Sequence, residues 1–337
     1  MKKLKHVIGI DVAKDNFVVC FGHFDQSQKV VFSKEEIFTN NKEGFEKLIH
    51  CVKQRIDKAI DCWYVMEATG VYYENLAFYL SEKQANVCVL LPNKTKHYAK
   101  SLEIKSKTDK IDAKILVQIG LERNLQKWNV PTKLMHSIKA LTREYKDNKT
   151  KLTMIKNQIH AKNHGYEPPK ETIKRLKAQI KLLEVQLLQI EFQLKNLVYQ
   201  DEALLEKVIK IESIPGVSFM TIICILAETN GFALVENVKQ LVSYAGMDIV
   251  LHESGLLKKK SRISKKGNRF IRHALYMPAL CAIQHNQDMK LFYHNLVERK
   301  KIKKVGVTAV ARKMLILIYT LWKNESEYIE NYKAAAA

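Results

Sequence analysis

Residues 6–24 read HVIGIDVAKDNFVVCFGHF. Two short apolar runs, His6–Val12 and Asn16–Phe24, flank a turn at Ala13–Asp15, the pattern of a β-hairpin. Downstream, Lys29–Phe38 predicts a third strand through the β-branched Val30, Val31 and Ile37. Phe45, Leu48, Ile49 and Val52 then recur at helical spacing, which predicts a helix over Asn41–Ile56 with Asn40 or Asn41 as its cap. Trp63–Met66 reads as a strand, Tyr72–Lys83 as a helix, Val87–Leu91 as a strand stopped by Pro92, and Thr108–Glu122 as a last helix. A three-strand meander followed by alternating α and β elements predicts an α/β, RNase H-like N-terminal domain over residues 1–128.

The middle of the chain changes period. Leu176, Ile180, Leu183, Leu187, Ile190, Leu194 and Leu197 follow one another at alternating steps of four and three, a sustained heptad seam. Ile138, Leu141, Tyr145, Leu152, Ile155 and Ile159 keep the same phase upstream, and Gly165 with Pro168–Pro169 breaks the helix between them. Residues 129–207 are therefore expected to form a coiled-coil helical hairpin, either an intramolecular bundle or a dimerisation arm. Residues 208–333 are expected to be a third, mainly helical and strongly basic domain. In it, Ile214–Val217 resembles half of a helix-hairpin-helix turn, which offers backbone N–H groups to phosphate.

The chain carries 56 Lys and Arg against 35 Asp and Glu, a net charge of +21 that calls for a polyanionic partner. An anionic membrane fits poorly, because the apolar runs Val217–Ala227 and Met314–Trp322 fall short of the roughly 20 residues a bilayer requires. The N-terminus reaches Asp11 before any apolar leader develops, so the expectation is a cytoplasmic protein. Six scattered cysteines, with no CxxC pair, argue against a disulfide framework or a zinc ribbon.

Four carboxylates stand out by position. Asp11 ends the first strand, Glu67 ends another, and Asp109 and Asp112 share one face of the last N-terminal helix. The fold expectation brings all four to one end of the sheet, where their mutual repulsion invites a divalent cation. Oxygen-only ligands suit Mg²⁺ or Mn²⁺ and phosphoryl transfer. Further on, Lys258, Lys259, Lys260, Arg262, Lys265, Lys266, Arg269 and Arg272 form a basic run with the density expected of a DNA-backbone contact.

The segments GIDVAKDNF, EATGVYY and KTDKIDAKIL resemble the DEDD motif of the insertion-sequence transposases called the IS one-ten family, whose N-terminal domain is similar to the Holliday-junction resolvase RuvC. SIPGVSFMTIICILAE, SYAGMD and SGLLKKKSRISKKGNRFIRHALY resemble that family's C-terminal transposase domain. The resemblance implies a transposase or recombinase that cleaves and exchanges DNA strands, with Asp11, Glu67, Asp109 and Asp112 as metal ligands. It also implies a serine nucleophile, best placed at Ser254 with Ser261 and Ser264 as lesser candidates, and a structured bridge RNA partner; the heptad seam, read as a dimerisation arm, adds the expectation of a homo-oligomer, a dimer or a tetramer. The rival expectation is a metal-dependent hydrolytic junction resolvase or nuclease.

Overall fold

In the structure, a computed structural model, residues 5–25, 27–56, 61–106, 108–250, 253–254, 257–258 and 262–330 are described. The chain divides into two compact units, Met1–Val130 and Pro131–Ala337.

The opening hairpin forms as β1 (Lys5–Val12) and β2 (Asn16–Phe24), paired antiparallel from His6 opposite His23 to Val12 opposite Phe17. The expected third strand divides into β3 (Val30–Phe32) and β4 (Glu36–Thr39), both antiparallel to β2. The break falls at Ser33, whose hydroxyl accepts the Phe21 N–H at 3.0 Å in place of a ladder carbonyl. Next come α1 (Lys42–Arg55), capped by the Asn41 side chain, β5 (Asp61–Glu67), α2 (Glu74–Glu82), β6 (Asn86–Leu90), α3 (Pro92–Ser101) and α4 (Asp109–Glu122). β5 is parallel to both β1 and β6, giving a mixed sheet of order β3-β2-β1-β5-β6 with β4 also on β2. The sequence reading missed α3. Pro92 does not merely stop a strand; it opens a helix at the position where its missing N–H costs nothing.

Alternation along the strands feeds two cores. Ile8, Ile10, Tyr64 and Met66 pack with Phe45, Leu48, Leu76 and Leu80 from α1 and α2. Val7, Val65 and Cys88 pack with Ala113, Leu116 and Val117 of α4 on the opposite face. α4 lies so close that a Cβ on Gly9 would meet the Ala113 carbonyl oxygen at 2.2 Å, and one on Gly120 would meet Val7 at 2.5 Å. Ala113 over Gly9 and Gly120 over Val7 make the helix run against the direction of β1. Its first turn therefore points to the end of the strand where Asp11 stands.

The second unit begins with two long helices, α5 (Lys133–Asn163) and α6 (Lys170–Tyr199). Tyr145 bonds Glu191 and Lys156 reaches Glu184, the inverse pairing of an antiparallel hairpin. The seam residues Leu183 and Leu187 are buried against Leu152 and Ile155 of α5, so this stripe is consumed inside the chain. Ile138, Ile190, Leu194 and Val198 at the hairpin base join one core with the helices that follow. These are α7 (Glu202–Glu212), α8 (Phe219–Thr229), α9 (Val238–Tyr244), α10 (Arg269–Ala274), α11 (Tyr276–His285), α12 (Gln287–Lys300) and α13 (Lys303–Asn324). Four two-residue strands lie between α9 and α10: β7 (Ile249–Val250) pairs with β10 (Arg262–Ile263), and β8 (Glu253–Ser254) with β9 (Leu257–Lys258). α13 is long and apolar enough by composition to cross a membrane, which the shorter run read from the sequence did not indicate. Its Val310, Met314, Leu315 and Ile318 are nevertheless fully enclosed in the core of this unit.

Because the nearest atom a Cβ on Gly9 would meet is a backbone carbonyl oxygen, Gly9→Ala should destabilise the protein by about 1–3 kcal/mol through overpacking. Gly165→Ala, where the added carbon meets only ordinary contacts, should stay within about 0.5 kcal/mol. Paired thermal or urea unfolding of the two variants checks the difference.

Candidate functional site

The register of the parallel pair β1–β5 ends at Ile10 opposite Met66, so Asp11 and Glu67 each stand one residue further along neighbouring strands. Val7 and Val65 lie on the face covered by α4, and strand alternation puts Asp11 and Glu67 on that same face. Thr108 caps α4 by accepting the Ile111 N–H, and Asp109 and Asp112 occupy the helix's first turn. That position suits carboxylates, because the exposed amides there carry partial positive charge. The fold thus directs all four acidic residues to one end of the sheet. Asp11, Glu67 and Asp112 are half-buried and Asp109 is exposed.

Convergence stops short of a ligand cage. Among the described residues, no three His, Cys, Asp or Glu side chains gather closely enough to hold a metal ion. At Glu67, Thr69 donates to one carboxylate oxygen at 3.1 Å and Thr95, from α3, donates to the other. The donor set of carboxylate oxygens fits a hard divalent cation chemically, while the side-chain positions do not form the expected quartet of ligands.

In the second unit, Ser254 and Lys258 are described by backbone alone, with Ser254 opposite Leu257 in a short antiparallel pair. Lys259, Lys260 and Ser261 lie outside the described residues. Ser264 donates its hydroxyl to the Asp248 carboxylate at 2.5 Å and accepts the Lys266 N–H, which ties it into a turn. Arg262, Lys265, Lys266 and Arg269 are exposed, as a phosphate-binding face requires. Arg272 is used differently: its guanidinium donates to the carbonyls of Ala245 and Gly267 at 2.8 and 3.1 Å. At Gly216 the φ of +86° and the close approach of α11 both demand glycine, so that turn is also a packing joint.

Sequence reasoning missed the best-connected polar group here. Glu228, at the end of α8, is almost wholly buried and accepts two bonds from the Arg143 guanidinium, at 2.8 and 3.1 Å. It also accepts the Asn268 amide at 2.6 Å, and Tyr244 donates to its backbone carbonyl at 2.8 Å. Burial raises the carboxyl pKa, but the bonds from Arg143 and Asn268 together with the nearby positive charge hold it below the ordinary range. Asn268 in turn caps α10 by accepting from Phe270 and Ile271. The available signal was one carboxylate closing the otherwise apolar run IICILAE.

Comparison with known proteins places both units. The family model of the DEDD transposases of the IS110 (IS one-ten) type, described as Transposase, matches residues 8–168. A second, the Transposase IS116/IS110/IS902 family, matches residues 209–294. The chain belongs to the IS110 family of transposases. Its relatives include the "Pilin gene-inverting protein" of Moraxella bovis, 27% identical over 94% of this chain and 95% of that protein. The protein of the same name from Moraxella lacunata is 28% identical over the same shares. The "Transposase for insertion sequence element IS1111A" of Coxiella burnetii is 24% identical over 97% of this chain and 92% of the relative. A solved Ppx/GppA family structure from Aquifex aeolicus covers 28% of this chain and 38% of its own at 12% identity and a TM-score of 0.21, too low for inference. As an IS110-family member, the chain is a transposase/recombinase, an enzyme that cleaves and rejoins DNA. The first model spans Asp11, Glu67, Asp109 and Asp112; the second spans Glu228, Ser254 and the basic run.

The Glu228 ion pair yields a stability prediction. Arg143→Met strands a buried carboxylate and should cost about 3 kcal/mol at pH 7, the low end for a broken buried pair because Arg143 keeps one side open to solvent. A depressed folded pKa means the wild-type contribution is present above the carboxyl's ordinary value and is lost as pH falls through the folded value. Urea titrations at stepped pH should therefore show a smaller acid-side loss in Glu228→Gln than in wild type.

Proposed function

We propose that this chain catalyses DNA strand cleavage and exchange for the mobility or inversion of a DNA segment, as the printed names of its relatives indicate for those proteins. One observation carries the reading: Asp11 and Glu67 end adjacent parallel strands on the face over which the first turn of α4 brings Asp109 and Asp112. A mixed sheet with an antiparallel meander, two parallel strands and helices on both faces supports an RNase H-like unit. Four acidic residues directed to one end of the sheet would repel a phosphodiester, so the proposal gives Asp11, Glu67, Asp109 and Asp112 the holding of Mg²⁺ or Mn²⁺. The cation supplies charge compensation at the phosphate and at the oxygens that enter and leave. Glu67 keeps a lone pair on each oxygen beyond those taken by Thr69 and Thr95, so both hydroxyls would orient it as a ligand.

Ser254 is proposed as nucleophile. Its hydroxyl attacks the scissile phosphorus, the P–O bond to the departing strand breaks, and the serine proton leaves to a base. The strand is then held as a phosphoserine ester and the departing oxygen is free to re-attack. Arg262, Lys265, Lys266 and Arg269, with Lys258, Lys259 and Lys260, are proposed to neutralise backbone phosphates; Arg272 positions the loop that carries them. Guidance by a structured bridge RNA is proposed on the family resemblance and the large positive charge.

The proposed assembly is a homo-oligomer, and α6 supplies the surface. With Leu183 and Leu187 used internally, Leu182, Val185, Leu188 and Phe192 form a second stripe one helical face away, each more than half exposed. Spacings of three and four residues match what an identical helix from a second copy would cover.

Two outcomes check these proposals. Asp11→Asn and Ser254→Ala should each remain folded and bind DNA, yet lose both strand exchange and the phosphoserine-linked adduct on a denaturing gel by orders of magnitude. Wild-type cutting without any adduct would favour the hydrolytic nuclease. Leu188→Glu with Phe192→Glu should lower the mass seen by light scattering without loss of helicity; unchanged mass removes α6 as the interface.

A further inference from the structure

Between α5, α8, α10 and α11 lies a cavity of about 490 Å³ that neither the carboxylates nor the basic run accounts for. Its volume falls within the roughly 300–1,000 Å³ of small-ligand sites. Tyr145 and Phe270 wall it, Met277 and Pro278 supply apolar surface, and Ser218 and Thr221 place two hydroxyls, 3.1 Å apart, in its lining. Lys146 sits 4.2 Å from the centre of the Phe270 ring and Lys149 sits 5.3 Å from that of Tyr145, so both ammonium groups of the lining are held beside its aromatic rings. Arg143 and Arg269 approach the same Phe270 ring at 4.7 and 5.2 Å.

The charges are one-sided. Among the described residues no carboxylate lines the cavity, and the nearby Glu228 is already engaged by Arg143 and Asn268. Burial and the Lys146 charge hold the His273 imidazole below its ordinary pKa, so at neutral pH the lysines carry the positive charge. The Tyr145 phenol donates to Glu191 at 2.7 Å, which fixes its ring. An apolar slot with aromatic walls, two hydroxyls within and cations in its lining matches one ligand chemistry: a flat heteroaromatic base joined to a phosphate.

We propose that this cavity receives a single unstacked nucleotide of a nucleic-acid strand, its base between Tyr145 and Phe270 and its phosphate held by Lys146 and Lys149. The proposal rests on the reading of the chain as a nucleic-acid-processing enzyme and adds a site for an unpaired base. Ser218 and Thr221 would meet the base edge, giving the pocket a preference among bases. Single-strand binders combine cationic tracks and aromatic faces in the same way.

Photocross-linking of the full-length protein tests it, with oligonucleotides carrying 5-iodouracil at one position in DNA and RNA versions. The expected adducts, mapped by mass spectrometry, fall on peptides containing Tyr145 or Phe270. Single strands should compete for them about tenfold better than a blunt duplex, the weight of one stacked base. The sugar that gives the stronger adduct identifies the strand as DNA or RNA. Ala274→Trp, at a half-buried position in the lining, should fill the cavity and abolish these adducts with an unchanged circular dichroism spectrum. The surface pair Lys146→Gln and Lys149→Gln should weaken them should the tryptophan variant not fold. Adducts found only elsewhere and indifferent to both variants would overturn the pocket while leaving nucleic-acid binding intact. Failure to retain any oligonucleotide, even at low salt, would overturn the enzyme's nucleic-acid reading as well. Equal protection by polyglutamate would show a site for any polyanion and overturn the base.

Discussion

In the N-terminal unit α4 packs on β1 backbone against backbone, with nothing between Gly9 and the Ala113 carbonyl. Gly22 and Gly120 widen this strip, since added carbons there would strike Val117 and Val7. Three missing side chains let the helix sink onto the sheet and fix its direction. Everything chemical in this unit follows from that direction: with the helix running against the strand, its capped first turn lies at the strand end bearing Asp11. The same contact places Asp109 and Asp112, 98 or more residues later in the chain, beside strand-end acids they would not otherwise meet. Packing and site are thus one constraint, and a larger residue at Gly9 would move the acids as well as the core.

Much of this was legible because it is local. Two apolar runs about a short turn give the hairpin, Asn41 announces its helix, and Thr108 caps Asp109–Glu122. The division of the third strand was hidden, since it depends on a hydroxyl, Ser33, meeting the Phe21 amide on another strand. α3 was hidden for a different reason. Only Thr95 and Tyr98 of its ten residues are buried, too few for a helical period to show. The heptad seam of α6 was plain, but periodicity names an apolar face without naming what covers it. Leu183 and Leu187 turn inward to α5, and the residues left outside, Leu182 to Phe192, were masked in the sequence by the stronger pattern beside them.

Among site residues, the four carboxylates were visible because each lies at an element's end or within a turn of it, a property of sequence order. Their present partners were not. Glu67 is held by Thr69, two residues away, and by Thr95, which required the unrecognised α3. Arg272 looked like another phosphate ligand in a run of eight cations, since composition cannot distinguish a guanidinium facing solvent from one closing a loop on Ala245 and Gly267. The Arg143–Glu228 pair joins residues 85 apart and leaves no periodic trace.

That pair also explains why a strongly basic unit spends a buried carboxylate. On stability alone a well-packed apolar pair would serve as well, because desolvating both charges offsets most of their attraction. What an apolar pair does not provide is direction. Glu228 takes two nitrogens of Arg143 from α5 and one from Asn268, while Tyr244 of α9 binds its carbonyl; four elements meet at one residue of α8. Asn268 is the cap of α10, so its amide on Glu228 and its oxygen on Phe270 and Ile271 fix where that helix starts. The helix start sets where Arg269 and Phe270 emerge, and Arg143 stacks on that same Phe270. A carboxylate with two oriented oxygens can impose this arrangement, whereas a leucine of equal volume would leave Asn268 free to cap in another rotamer. The buried charge thereby fixes the aim of the cations above it.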